Sequence, residues 1–276
     1  MTTTEKNPNK ALWEKGDFTR IAQSMRQSGE ALVAELGITK DTYVLDLGCG
    51  DGTTALPAAK RAAKVLGVDI ARNLVDAGNQ RAAVAGLTNI SFHEGDASNL
   101  SQLKDETFDQ VITIFGAMFA PRPPDVAKEI VRVTKRSGKI TMGNWIPGDP
   151  TLVAQILKIS SVYTPAPPEG FISPMLWGVE SEVTKRFEAA GIEAKNISFS
   201  REKYVFNFAG TPQALVTMFR LYYGPTMNAF EAAAKNAKAD QLQRELEDLF
   251  ISQNISSAPG YTTIPATFLR VTVLKG

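Results

Sequence analysis

Val44-Leu45-Asp46-Leu47-Gly48-Cys49-Gly50-Asp51-Gly52-Thr53 is the stretch on which the reading of the whole chain turns. The apolar run 43–47 has the length of a buried strand. It ends on three glycines at alternate positions, and a helical stretch, 53–62, follows. Glycine lacks a Cβ, so the chain turns sharply there and a ligand can lie against bare main chain. The first turn of the helix presents N–H groups without intrahelical partners to an acceptor on that ligand. The nicotinamide-dinucleotide fingerprint is G-x-G-x-x-G, with a third glycine for close helix–strand packing. Here the register is G-x-G-x-G, and Thr53 stands where that glycine would be.

Outward from the loop the chain alternates. Strand-like runs at 43–47, 65–69, 90–93, 108–115 and 139–145 are separated by helical patterns at 53–62, 71–85 and 125–134. Pro124 fits a helical first turn, where its missing N–H costs nothing. This alternation predicts right-handed crossovers and a parallel sheet covered on both faces. Before it, Phe18, Ile21, Ala22, Met25, Leu32, Val33 and Leu36 share one helical face that Gly37 closes. Beyond Trp145 the pattern predicts helices at 149–163 and 179–190, strands at 193–199 and 203–208, helices at 211–223 and 227–251, and a closing strand at 264–274.

Two more carboxylates fall in register with Asp46. Asp69 ends the second strand, 21 residues after Gly48, where a carboxylate can accept both hydroxyls of a ribose. Asp96 follows the third strand in Glu94-Gly95-Asp96-Ala97. It can accept from an exocyclic amine of adenine while the Ala97 N–H donates to a ring nitrogen. Asp46, at the carboxyl end of the first strand, faces the place for an ammonium group. Any one of these would ordinarily be read as a helix or turn cap. Their joint occurrence around a glycine loop favours a nucleoside ligand.

With those acids in place the chain resembles the class I S-adenosylmethionine-dependent methyltransferases, in the branch similar to the ubiquinone/menaquinone C-methyltransferases and their small-molecule relatives. The resemblance covers about residues 10–145, and the final strand more loosely. It rests on 44–52, Val68-Asp69-Ile70, Gly95-Asp96-Ala97, Phe108-Asp109 and Arg136-Ser137-Gly138-Lys139-Ile140. It implies an α/β, Rossmann-like fold: a seven-stranded, mostly parallel sheet with helices on both faces, the last strand antiparallel, and a helical lid insertion. It also implies S-adenosyl-L-methionine as cofactor. Gly48, Gly50 and Gly52 would line its methionine and ribose portions, Asp69 the ribose, Ile70, Asp96 and Ala97 the adenine. Ile114 and Phe115 would flank the sulfonium, and Trp13 with Phe18 would form a first lid. The whole chain, 1–276, then reads as a single methyltransferase domain. Its core would be 10–145, with a partial lid and sixth strand at 146–208, a helical insertion at 209–258 and a final strand at 263–275.

Phe115-Gly116-Ala117-Met118-Phe119-Ala120-Pro121 is not the Asn/Asp-Pro-Pro-aromatic box that holds amide and nucleobase nitrogens in similar enzymes. The acceptor expected is a small molecule. Met118, Phe119, Trp145, Trp177, Phe219, Tyr222 and Tyr223 are the candidates for its pocket, since aromatic and Met walls suit a flat or greasy ligand. The competing readings are a nicotinamide-dependent oxidoreductase on a similar fold and a cofactor-binding module without turnover.

Composition narrows the partners. Thirty Lys and Arg against 29 Asp and Glu leave a net charge of +1, so no nucleic-acid partner is expected. One cysteine, Cys49, and one histidine, His93, leave no zinc cluster and no Ser-His-Asp triad. His93 sits within a strand and is a poor base. The acceptor is then already ionised or a neutral amine, or a carboxylate or tyrosine serves as base, or proximity suffices. A polar N-terminus (1–10) without an apolar core, and no apolar run near the roughly 20 residues of a membrane helix, predict a cytoplasmic enzyme.

Overall fold

The computed structural model describes residues 9–276; most of the polar N-terminal stretch, 1–8, lies outside them. Seven strands among the described residues form one sheet: β1 (Tyr43–Leu47), β2 (Lys64–Asp69), β3 (Ile90–Glu94), β4 (Phe108–Ile114), β5 (Thr134–Trp145), β6 (Ile197–Phe208) and β7 (Thr262–Leu274). Their order is β3-β2-β1-β4-β5-β7-β6. Neighbours from β3 to β5 pair in parallel, and β7 runs antiparallel to both β5 and β6.

Strand β1 is an interior strand of the sheet, between β2 and β4, and Val44, Leu45 and Leu47 there are 0–1% exposed. A parallel strand covered on both faces has no solvent side, so it reads as a continuous apolar run rather than an alternation. Each such side chain contributes about 1.5–3 kcal/mol by leaving water. Helices α1 (Lys10–Glu14), α2 (Phe18–Ala22) and α3 (Arg26–Ala34) precede β1. Helices α4 (Ala55–Ala59), α5 (Arg72–Val84) and α6 (Pro123–Val133) follow β1, β2 and β4. In α6, Pro123 and Pro124 occupy the first turn, and Val126, Ala127, Ile130, Val131 and Val133 are buried.

Between β5 and β6 lie α7 (Leu152–Ser161) and α8 (Glu180–Ala189). Between β6 and β7 lie α9 (Pro212–Tyr222), α10 (Gly224–Lys235) and α11 (Ala239–Gln253). Several boundaries differ from expectation, three of them for a clear local reason. The two short strands expected over 193–208 are one, β6, paired with β7 through twelve residues. Its polar middle, Ser200-Arg201-Glu202, is where an edge strand meets water. The single helix expected at 227–251 breaks at Asn236-Ala237-Lys238, where Ala237 adopts φ +53°. Helix α4 begins two residues later than expected because Thr53 and Thr54 complete the turn out of the glycine loop.

Connections from β1 lead towards β2 and β3 on one side, while β4 and β5 extend on the other. Strand order therefore reverses between β1 and β4, and open α/β sheets bind ligands in the crevice beyond the carboxyl ends at such a point.

Candidate active site

A single cavity of about 1280 Å³, counting its open mouth, occupies that crevice. Its floor is the glycine loop and the ends of β2 and β4. Its walls come from α1, α2, the end of β5, α7, β6 and α9.

The loop owes its shape to main-chain crowding. Gly48, Gly50 and Gly52 all lie at positive φ, +68°, +53° and +88°. Their surroundings differ. A Cβ on Gly48 would stand 2.6 Å from the Gly116 Cα, so the β1 and β4 loops touch backbone to backbone. A Cβ on Gly52 would stand 2.2 Å from the Leu56 Cδ1 and 2.7 Å from the Phe92 Cζ, which marks Gly52 as a packing glycine. Gly50 has no protein atom within 4 Å of its missing Cβ. That open space, on the cavity lining, is where a ligand can lie against main chain.

Three carboxylates surround the loop, each with a different task. Asp69, 8% exposed, lines the cavity and accepts from Gly50 N at 2.8 Å and Ala71 N at 2.9 Å. Burial pushes its carboxyl up, and the N–H bonds from Ala71, Gly50 and Ile70 oppose that rise. The carboxylate has more lone-pair sites than these donors fill, which leaves room for a ligand hydroxyl. Asp51, 1% exposed, ties the loop to two helices, through Arg26 at 2.9 Å and Arg81 at 3.1 Å. Asp46 is fully buried and accepts from the Thr54 hydroxyl at 2.6 Å; its other oxygen has no partner. Burial, with a smaller push from Asp69, raises it to about 7.

Aromatic rings wall the opposite end. Phe115 adopts φ +59° and stacks on Trp145 at 3.7 Å and 8° between planes. Tyr204 and Phe268 meet its edge at 5.0 and 5.3 Å. A bulky residue in the left-handed region is strained by about 1–2 kcal/mol, and these contacts hold it there. Trp13 from α1 packs edge-on to Phe119 at 5.0 Å and to Phe18 at 6.0 Å, and lies 6.1 Å from Tyr223.

The structure brings Trp13, Phe18, Gly48, Gly50, Asp69, Ile70, Ala97, Ile114, Phe115, Phe119, Trp145, Phe219 and Tyr223 onto this one cavity. Asp46, Gly52, Asp96, Met118, Trp177 and Tyr222 fall outside the lining. Asp46 turns back to cap α4, and Asp96 accepts from the Ser98 N and hydroxyl at 2.8 and 2.6 Å. Met118 and Tyr222 neighbour lining residues on helical turns, where successive side chains diverge by about 100°. Trp177 is fully buried elsewhere, against Phe187 and under the Arg186 guanidinium at 4.5 Å. His93 lies exposed on the edge strand β3.

Several lining residues escaped the sequence reading. Tyr204 and Phe206 sit two apart on one face of β6, and Val153, Ile156 and Leu157 recur at i, i+3 and i+4 on α7. Both are ordinary core periodicities. Nothing in the local pattern separates a residue facing a cavity from one facing the core.

Residues 44–138 match a methyltransferase domain. An uncharacterized protein of Mycobacterium tuberculosis, Rv1405c, is 33% identical over 243 residues, spanning 87% of this chain and 86% of its own. The chain belongs to one family with that protein, and its methyltransferase domain makes it an S-adenosylmethionine-dependent methyltransferase. Among solved structures, the methyltransferase fold is similar to the YcgJ protein of Bacillus subtilis, with TM-score 0.59 and 18% identity over 90% of this chain and 98% of that one. It is also similar to geranyl diphosphate C-methyltransferase of Streptomyces coelicolor A3(2), with TM-score 0.52 and 15% identity over 91% and 78% of the two chains. The methyltransferase match sets the nicotinamide reading aside. Among the described residues no cluster of His, Cys, Asp and Glu could hold a metal ion, and no helix is long and apolar enough to cross a membrane.

Proposed function

We propose that this methyltransferase acts on a small-molecule acceptor held in the same cavity as the cofactor, by in-line displacement. The observation carrying this reading is the continuity of the cavity: Gly50 and Asp69 at one end and Trp145, Phe219 and Tyr223 at the other line a single space. S-adenosylmethionine supplies a methyl carbon on a cationic sulfur, which leaves with the bonding electron pair as the acceptor's pair forms the new bond. The reaction disperses charge, so the protein's task is alignment and exclusion of water.

In this reading Asp69 accepts the ribose hydroxyls and the Gly48–Gly50 main chain carries the methionine and ribose portions. Ile70 and Ala97 pack on the adenine. Ile114 and Phe115 border the reacting sulfur, with the Phe115–Trp145 stack fixing where an acceptor can approach. Trp13 and Phe18 close the mouth from the N-terminal side. Residues 209–258 close it from the other, and the whole chain works as one methyltransferase domain.

Calorimetry with S-adenosylhomocysteine and NADH tests the cofactor, and a mass-spectrometric search of cell extract for products gaining one methyl tests the acceptor. Binding of S-adenosylhomocysteine and a small product are expected. Methylation confined to protein or nucleic acid would overturn the proposal.

A further inference from the structure

Charge is confined to one end of the cavity. Its charged lining residues are Asp51 and Asp69, and among the described residues no lysine, arginine or histidine lines it. Arg26 and Arg81 stand behind the loop, committed to Asp51. A carboxylate or phosphate on an acceptor would therefore find no cationic side chain on the lining, and beside S-adenosylhomocysteine, whose sulfur is uncharged, no sulfonium either. No side chain of the far wall would compensate its desolvation. An ammonium group would meet only rings and aliphatic chains at the far end, where Phe206, Phe219, Ile156 and Leu157 form the wall.

Two hydroxyls interrupt that wall. Tyr204 and Tyr223 are 1% and 8% exposed. Burial raises both phenols well above their ordinary value, with the Asp46 charge adding to the rise at Tyr204, so both stay protonated donors. Tyr204 meets the edge of Phe115 at 88°. Its hydroxyl lies at the glycine-loop end of the wall, 2.9 Å from where a Cβ of Gly29 would stand, a position that the Thr53 carbonyl approaches equally closely. Tyr204 and Thr53 line the cavity and Gly29 does not, so this hydroxyl stands at the border of the lining beside the glycine loop.

We propose that the acceptor is an uncharged, mainly apolar ring molecule, and that the Tyr204 hydroxyl donates to its one polar atom and so sets its approach. The inference rests on the small-molecule reading above. It is tested on full-length protein saturated with S-adenosylhomocysteine, by titrating 2-naphthol, 2-naphthoate, 2-naphthylmethylamine and naphthalene in a calorimeter at neutral pH. Binding of S-adenosylhomocysteine is measured first, and its absence would overturn the cofactor reading rather than this one. The expected result is 2-naphthol bound about tenfold or more tightly than either charged analogue. Tyr204→Phe should weaken 2-naphthol about tenfold while leaving naphthalene unchanged. The variant's affinity for S-adenosylhomocysteine checks that it has folded. Charged analogues that bind as well as 2-naphthol, or no heat from 2-naphthol on protein that binds S-adenosylhomocysteine, would overturn the proposal. Equal loss of naphthol and naphthalene in Tyr204→Phe would overturn the role given to Tyr204.

Discussion

The two ends of the cavity are built by different means. At the glycine-loop end the parts are contiguous: β1, its loop, the end of β2 and the turn after β4 come from a short, regular run of βα units. Their contacts are main chain on main chain, as where Gly48 meets Gly116, or main chain on carboxylate, as where Gly50 and Ala71 donate to Asp69. At the aromatic end the parts come from far apart in the chain: Trp13 from α1, Trp145 from β5, Tyr204 and Phe206 from β6, Phe219 from α9 and Tyr223 just after it. Backbone geometry holds one end and side-chain packing the other.

Substitutions can separate the two. The largest effect is expected at Gly48→Ala, where φ of +68° and a Cβ 2.6 Å from the Gly116 Cα leave no flexible atom to yield. A loss of about 3 kcal/mol or more is expected in denaturant unfolding, with S-adenosylhomocysteine binding lost alongside. A stable, ligand-binding Gly48→Ala protein would show that backbone contact does not hold this end.

Asp46→Asn should act through pH. Asp46 is raised from 3.8 to about 7 by burial, so between those values the folded protein holds a proton that the unfolded chain has lost. Stability owed to this group therefore falls as pH rises from about 4 to about 7 and is level above. Asn keeps an acceptor for Thr54 and carries no charge. The variant should gain on the parent across that window, by a few kcal/mol at pH 8, in unfolding at matched pH. A pH-independent difference would remove the buried carboxylate as its cause.

Asp69→Ala should weaken S-adenosylhomocysteine binding by about 1–3 kcal/mol, the range for removing one partner of a buried hydrogen bond. Unchanged affinity by calorimetry would show that the ribose is held elsewhere. The smallest effect belongs to the aromatic end's outer seam, where Lys15 pairs with Glu231 at 2.8 Å across the N-terminal segment and α10. Glu231 is open to water and Lys15 partly so, and Lys15→Ala should cost less than about 1 kcal/mol in thermal unfolding. A larger loss would make that seam a structural tie between the two lids.

The same division governs what could be read in advance. The alternation of strands and helices, the loop and its acids are local patterns, and the sheet follows them closely from β1 to β5. Asp46 and Asp96 show the limit: each stands at the expected position and turns its carboxylate to a neighbouring turn. Spacing places a residue at a strand end without choosing which neighbour it faces. Tyr204 and Phe206 carried only the two-residue period of a strand face, and Trp177 looked like a pocket residue although its place is the core against α8.

By itself the order of residues determined the βα alternation, the glycine turn and its position at the strand ends, because steric limits on φ and ψ and the burial of apolar runs act over a few residues. Tertiary structure alone decided which rings share the cavity, which carboxylate meets it and which hydroxyl interrupts its apolar wall. Those depend on contacts between segments up to about two hundred residues apart, whose approach is set by how α1 and α9 pack over the sheet and where β6 joins it.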